Sequence, residues 1–187
     1  MNKVLLIIGD AAEVTDTLYP YFRVQEDGYQ CVVAAPEKRV YHLVMHEPRP
    51  DWDITVESPG YHLPSDIAFR DVNPDDYLAL VLSGGRAPEY LRYDQDLMRV
   101  TRQMFEQGKP IASVCHGIEI IAAAGIIRGK RVTTVPKCRY DVELVGGIYV
   151  DEPVVVDGNL VTARTFWDNA PWMREFMKML NAARDGR

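Results

Sequence analysis

The sequence predicts an α/β protein, with a mostly parallel sheet between helix layers, and three observations carry that reading. Short apolar runs rich in β-branched residues alternate with stretches of helical periodicity. Several of the runs lack polar alternation, as strands covered on both faces do. One of them, Ile111-Ala-Ser-Val, leads straight through Cys115-His116-Gly117 into Ile118-Glu-Ile-Ile-Ala-Ala-Ala, a strand feeding a helix through a single sharp turn.

The expected strands are Val4 to Ile8, Cys31 to Ala35, Leu78 to Leu82, Ile111 to Val114 and Arg131 to Val135. The first expected helix runs from Thr15 to Asp27, with Leu18, Tyr21 and Phe22 near one face; Pro20 inside it implies a kink or late start, and Gly28 ends it. Asp94 to Gln107 carries Leu97, Val100, Met104 and Phe105 at helical spacing, and Gly108 with Pro110 stops it. Near the C-terminus, Pro153 to Val156 and Asn159 to Thr162 flank Asp157-Gly158, the dipeptide that tight hairpins prefer. Trp172, Phe176, Met177 and Leu180 then outline a last helix, with Asn169 and Pro171 at its start. One region breaks the rhythm. From Val40 to Pro64, histidines, prolines and Trp52 follow no sustained period, and the stretch reads as a long surface excursion. Within it His42 and His46, with Asp51 or Asp53, offer a metal-ligand alternative to a plain polar loop.

A chain of 187 residues, 47% hydrophobic and 26% charged, has the composition of one soluble domain, here residues 1–187. Its formal charge of -6 argues against a nucleic-acid backbone or an anionic membrane as partner. Three cysteines are an odd count, unlike a disulfide framework, and fit a reduced compartment. Val4 to Ile8 is too short for a signal-peptide core, and the apolar window from Ile111 to Ile127, interrupted by His116 and Glu119, is too short to span a bilayer. The expectation is a cytoplasmic protein without metal or cofactor.

The strand-to-helix turn is where α/β enzymes place nucleophiles, because it lifts the side chain out of the sheet among unpaired N–H groups. Cys115 is therefore the candidate nucleophile, with a thiol that ionises more easily at a helix start. Cys31, inside an apolar strand, reads as a core residue. Cys138, between Lys137 and Arg139, is open to a resolving role in oxidation. His116 is either general base or helix cap. Gly84 and Gly85 follow another apolar strand, where their N–H groups could face an oxyanion; Gly117 belongs to the same constellation. Glu13 leaves the first strand at the same edge and would help a thiolate only as a protonated donor.

These pieces together resemble the ThiJ/PfpI superfamily, most closely its PfpI-like branch. The resemblance rests on Glu13 with Leu18-Tyr19-Pro20-Tyr21, Val72-Asn73-Pro74, Gly84-Gly85-Arg86-Ala87-Pro88-Glu89, Gly108-Lys109-Pro110 and Val114-Cys115-His116-Gly117. It continues through Ala124-Gly125, Val155-Val156-Asp157-Gly158-Asn159 and Trp172-Met173-Arg174-Glu175-Phe176. It implies a flavodoxin-like three-layer α/β/α sandwich in which Cys115 is nucleophile, Glu13 hydrogen-bonds the thiolate, and Gly85 and His116 donate backbone N–H groups to an oxyanion. It also implies a homo-oligomer, dimer or hexamer, in which Glu89 orients the histidine of a neighbouring subunit. The chain departs from the pattern at Ser83, where proline is usual, at Val135-Pro136-Lys137, where Tyr-Pro-Gly is usual, and at about 41–58, which looks inserted.

Three functions compete. The first is a cysteine hydrolase of peptide or amide bonds; the second is a glyoxalase or deglycase on methylglyoxal-type aldehydes; the third is a redox-responsive stress protein oxidised at Cys115. The hydrolase reading stands first by the branch's name, with a small-molecule or peptide substrate. Class I glutamine amidotransferases share the cysteine turn but need a later His-x-Glu, and no histidine follows His116.

Overall fold

The computed structural model describes residues 2–186. Its strands are β1 (Lys3–Ile7), β2 (Gln30–Ala35), β3 (Val40–Glu47), β4 (Val56–Pro64), β5 (Ile67–Ala68), β6 (Ala79–Leu82), β7 (Ile111–Val114), β8 (Arg131–Val132), β9 (Ile148–Tyr149), β10 (Val154–Asp157) and β11 (Leu160–Ala163). Its helices are α1 (Val14–Glu26), α2 (Ala87–Leu91), α3 (Gln95–Glu106), α4 (Ile118–Ala123), α5 (Arg139–Glu143) and α6 (Asn169–Arg184). Seven strands form the central sheet in the order β10-β11-β7-β6-β1-β2-β5. Every pair is parallel except β10 with β11. Helices α1 and α6 pack together against one face, while α2, α3, α4 and α5 contact one another on the other. This is the flavodoxin-like sandwich expected of the sequence.

The middle strands are buried on both sides, with Val4 to Ile8, Ala79 to Leu82 and Ile111 to Val114 at most 1% exposed apart from Ser113 at 2%. Burial on both faces explains why these strands show no alternation, and it fixes their register. Because β1, β6 and β7 are parallel, the loops that leave them meet at one edge, where open α/β sheets bind ligands.

Three expectations change. The 40–64 region is a two-stranded antiparallel hairpin, β3 with β4, in place of an irregular excursion. Tyr41 and Leu43 face inward, but a register shift between His42 and Val44 and the prolines around β4 hide the alternation. The expected strand from Arg131 to Val135 pairs only at Arg131 and Val132, with β9, because the Thr133 N–H turns to the Thr162 hydroxyl at 2.9 Å. Helix α1 continues through Pro20, and its buried face carries Asp16, Thr17, Pro20 and Val24, leaving Phe22 exposed. No helix among the described residues is long and apolar enough to cross a membrane.

Candidate active site

Cys115 sits one residue past β7 with φ at 55°, the left-handed region that a non-glycine residue enters at a steric cost. Val114 before it is fully extended and residues Cys115–Gly117 form a 3-10 turn into α4, so the side chain is thrown off the sheet's end. Packing holds this strain. Gly117 backs onto the Leu82 carbonyl and Ser113 hydroxyl, where a Cβ would come within 2.8 Å of either. The Thr134 hydroxyl donates to the Cys115 carbonyl at 2.8 Å.

The thiol is 7% exposed, and its Sγ lies 3.3 Å from His116 Nδ1. Backbone N–H groups of His116 and Gly85 point at the sulfur and favour its anion. Burial and the adjacent Asp16 carboxyl act more strongly and push the thiol up. The easier ionisation expected from a helix start is thereby reversed in the resting chain, since α4 is only six residues long and the sulfur has little water around it.

The expected role of Glu13 falls to a different side chain. Glu13 caps α1, its Oε2 accepting the Asp16 N–H at 2.7 Å. Among the described residues it makes no hydrogen bond to Cys115. One helical turn on, Asp16 is fully buried against Gly84 and accepts at 3.1 Å from Asn169 Nδ2 of α6. Its second oxygen, Oδ2, has no hydrogen-bond partner. Gly84 separates that oxygen from the cysteine, and a Cβ on Gly84 would strike both Asp16 Oδ2 and Cys115 Cβ. Burial first, then the Glu13 carboxyl, push Asp16 well above the usual carboxylate range. A carboxylic acid and a thiol thus lie on either side of Gly84, and two negative charges so near each other in so dry a place oppose each other.

Gly84 packs between Asp16 and Cys115, and buried Gly117 serves packing; Gly85 directs an N–H at the sulfur. Burial first, then the Lys137 ammonium and His46, push the His116 imidazole down to about 4, so it is neutral at pH 7. Ser83, where the resemblance has proline, donates its hydroxyl to the Ile7 carbonyl at 2.9 Å and ties β6 to β1.

Cys115 and His116 open onto a cavity of about 330 Å³. Arg86, Glu89, Val135 and Lys137 line it from the sheet side; His46, Pro48, Ile54, Thr55 and Glu57 come from the hairpin and its connecting loop; Phe166 and Trp167 precede α6. A bridge from Glu13 to Val44 pins the hairpin to the loop after β1, and one from Ala12 to Gly85 ties that loop to the site. Glu89 is paired with Arg86 at 3.2 Å, with its side chain 45% exposed. The hairpin's histidines find partners other than a metal set: His42 meets His62 at 3.1 Å and His46 meets Glu57 at 3.0 Å, while Asp51 and Asp53 lie in the loop apart from both. Cys138 faces Glu119, to which its thiol donates at 3.6 Å, and burial and that carboxylate push it up rather than down. His116, Glu119 and Cys138 bring ligand-type atoms within 4.8 Å of one another, but Arg92 already neutralises Glu119 at 3.4 Å. Cys31 is pushed up to about 12 by burial and Asp66, as a core thiol would be.

Asp16 was not singled out in the sequence; Asn169 was read only as a helix start, and of the hairpin residues at the cavity only His46 was named, as a metal-ligand alternative. A signal for Asp16 existed: Asp16, Pro20 and Val24 recur every four residues, which puts the acid on the buried stripe of α1.

The DJ-1/PfpI family model matches residues 2–179. A deglycase of Pyrococcus abyssi is 41% identical over 178 residues, covering 95% of this chain and 99% of the relative. Deglycase PfpI of Pyrococcus furiosus is 39% identical with the same coverage, and protein/nucleic acid deglycase 2 of Escherichia coli is 38% identical over 97% of this chain and 99% of its own. Among solved structures, the ThiJ/PfpI domain protein from Brachyspira murdochii superposes with a TM-score of 0.84 at 20% identity, covering 97% of this chain and 98% of that one. The match over nearly the whole sequence and the shared sandwich agree: the chain belongs to the DJ-1/PfpI family.

Proposed function

We propose that this protein is a cysteine-dependent enzyme of glyoxalase or deglycase type, acting on methylglyoxal-like 2-oxoaldehydes or their adducts. The observation that carries this reading is the cavity: about 330 Å³, with a nearly buried thiol at its floor, it suits a small carbonyl compound better than a stretch of polypeptide. The relatives named deglycases support the same choice, and the second sequence reading thus moves ahead of the hydrolase.

In the proposed reaction the thiol proton passes to neutral His116, and the sulfur forms a bond to the aldehyde carbon. The carbonyl electron pair moves to oxygen, where the N–H groups of Gly85 and His116 receive it. The Asp16 carboxyl, kept protonated by its burial, adds no second negative charge beside the thiolate. The His116 imidazolium returns its proton to the hemithioacetal oxygen; neutral again, it takes the carbon-bound proton and delivers it to the neighbouring carbonyl carbon while the hydroxyl proton passes to that carbonyl's oxygen, leaving a thioester of a 2-hydroxy acid. Water then cleaves it, returning the thiol and releasing the acid; methylglyoxal plus water gives lactate. An amine adduct instead releases its amine.

The test is lactate formation from methylglyoxal beside a fluorogenic peptide panel. Wild type should produce lactate, and Cys115→Ser should lose about 10³-fold or more in kcat/KM. Peptide cleavage without lactate would overturn the reading in favour of the hydrolase; neither activity would favour the redox protein.

A homo-oligomer, dimer or hexamer, completes the proposal, with Glu89 orienting a neighbour's His116. Two observations support it: among the described residues the His116 imidazole makes no hydrogen bond beyond Cys115, and Glu89 stands half-exposed at the cavity mouth. Cys115→Ala and Glu89→Ala proteins, each inactive, should regain activity when their subunits are mixed. No recovery despite demonstrated exchange would place Glu89 in its own chain.

A further inference from the structure

The charged side chains around the cavity are answered within the chain, with one exception. Arg86 donates to both Glu89 oxygens, at 3.2 and 3.3 Å, and His46 meets Glu57 at 3.0 Å. His116 is neutral and faces the thiol. Lys137 lines the same cavity with no hydrogen bond or ion pair to any described residue. Its side chain is exposed, but the backbone that carries it is held in place. Thr134 is tied to the Cys115 carbonyl at 2.8 Å, Pro136 stiffens the next step, and the Cys138 N–H closes the turn on the Val135 carbonyl at 2.9 Å. The turn that carries Lys137 is thereby fixed to the nucleophile's own backbone. The ammonium is close enough to help hold the His116 ring neutral.

An uncompensated cation at the rim of a small, partly apolar cavity attracts one kind of group. We propose that Lys137 is a specificity-determining residue that binds a substrate carboxylate, so that the cavity prefers carbonyl compounds bearing a carboxylate, such as aldehyde adducts of free amino acids, over neutral ones. Ile54, Val135, Phe166 and Trp167 supply the apolar walls against which the rest of such a molecule would lie.

This inference rests on the proposed reading for its chemistry, but its test reads the thiol without turnover. Iodoacetate and iodoacetamide alkylate sulfur by the same step, in which the S–C bond forms as iodide leaves with the bonding pair. They differ in carrying a carboxylate or a neutral amide. The ratio of their rate constants at Cys115, located by peptide mass spectrometry, measures the cavity's preference for an anion. Lys137→Met should lower that ratio by about fivefold, Lys137→Arg should keep it, and raising the salt should bring wild type toward the Met variant. An equal ratio in all three proteins, or alkylation of wild type by iodoacetamide alone, would overturn the assignment. If no 2-oxoaldehyde is turned over yet the ratio responds to Lys137, the reaction class fails while the carboxylate subsite stands. If turnover is seen with a flat ratio, only the subsite fails.

Discussion

The floor and the rim of the cavity are built from different materials. Cys115, Asp16 and the Gly84-Gly85 loop hang from strands and a helix face that are almost wholly buried, and each is locked by another: Asp16 by Gly84 and Asn169, Cys115 by Thr134. The rim comes from the β3–β4 hairpin, whose outer parts are exposed, with Trp52 and Ile54 62% and 65% accessible. A reacting sulfur needs placement to a fraction of an ångström, which dense packing gives. Substrate choice needs only a wall of the right shape and charge, which an exposed arm can supply and vary without disturbing the floor. The comparison is sharpened by changes that should separate chemistry from selection.

The largest effect is expected from the floor. Gly84→Ala puts a methyl group against Asp16 and Cys115 at once, so either the elbow or the acid must move. It should cost about 1–3 kcal/mol in stability, read by urea denaturation, and most of the turnover. A variant of normal activity would show that the two groups need not touch.

The next concerns His116. Its folded value of about 4 lies below the ordinary 6.5 of a free histidine, so the unfolded chain binds the extra proton first. The contribution to stability is present above pH 6.5 and is lost as pH falls toward 4, on the order of 2–3 kcal/mol in all. Buried acids titrate nearby, so the comparison is with His116→Gln, whose stability should fall less steeply across that window. Parallel curves would mean that the imidazole is solvated in the folded state.

The smallest effect is expected at the rim. Ile54→Ala should raise KM about threefold with little change in kcat, because the side chain walls the cavity without touching the sulfur. A loss confined to kcat would draw the hairpin into the chemistry.

The same division decides what could be read from the sequence. The floor's strands announced themselves by unbroken apolar runs, and Cys115 by its place at the end of one. The hairpin did not, since four prolines and a shifted register interrupt the period that would mark it. Asp16 was missed for another reason. Glu13 follows the first strand more closely and looks like the acid of the site, but at the start of a helix its backbone neighbour claims its carboxylate, and the side chain one turn later points inward. Charge near a motif does not tell which way a helix turns it.

The most direct measurement of the floor is therefore the pH dependence of Cys115 alkylation by iodoacetamide in wild type, Asp16→Asn and Glu13→Gln. A thiol and a carboxylic acid near enough to feel each other's charge lose their protons in steps, the second opposed by the charge the first leaves behind. Wild-type reactivity should keep rising into the alkaline range. Asp16→Asn, which retains an N–H donor and cannot ionise, should abolish that upper rise and complete the transition at lower pH. Glu13→Gln should leave the alkaline rise in place and instead lower stability by about 1 kcal/mol through its weakened cap. Profiles that coincide for wild type and Asp16→Asn, or an upper rise abolished by Glu13→Gln alone, would contradict the assignment of Asp16 as the acid whose charge opposes ionisation of the cysteine.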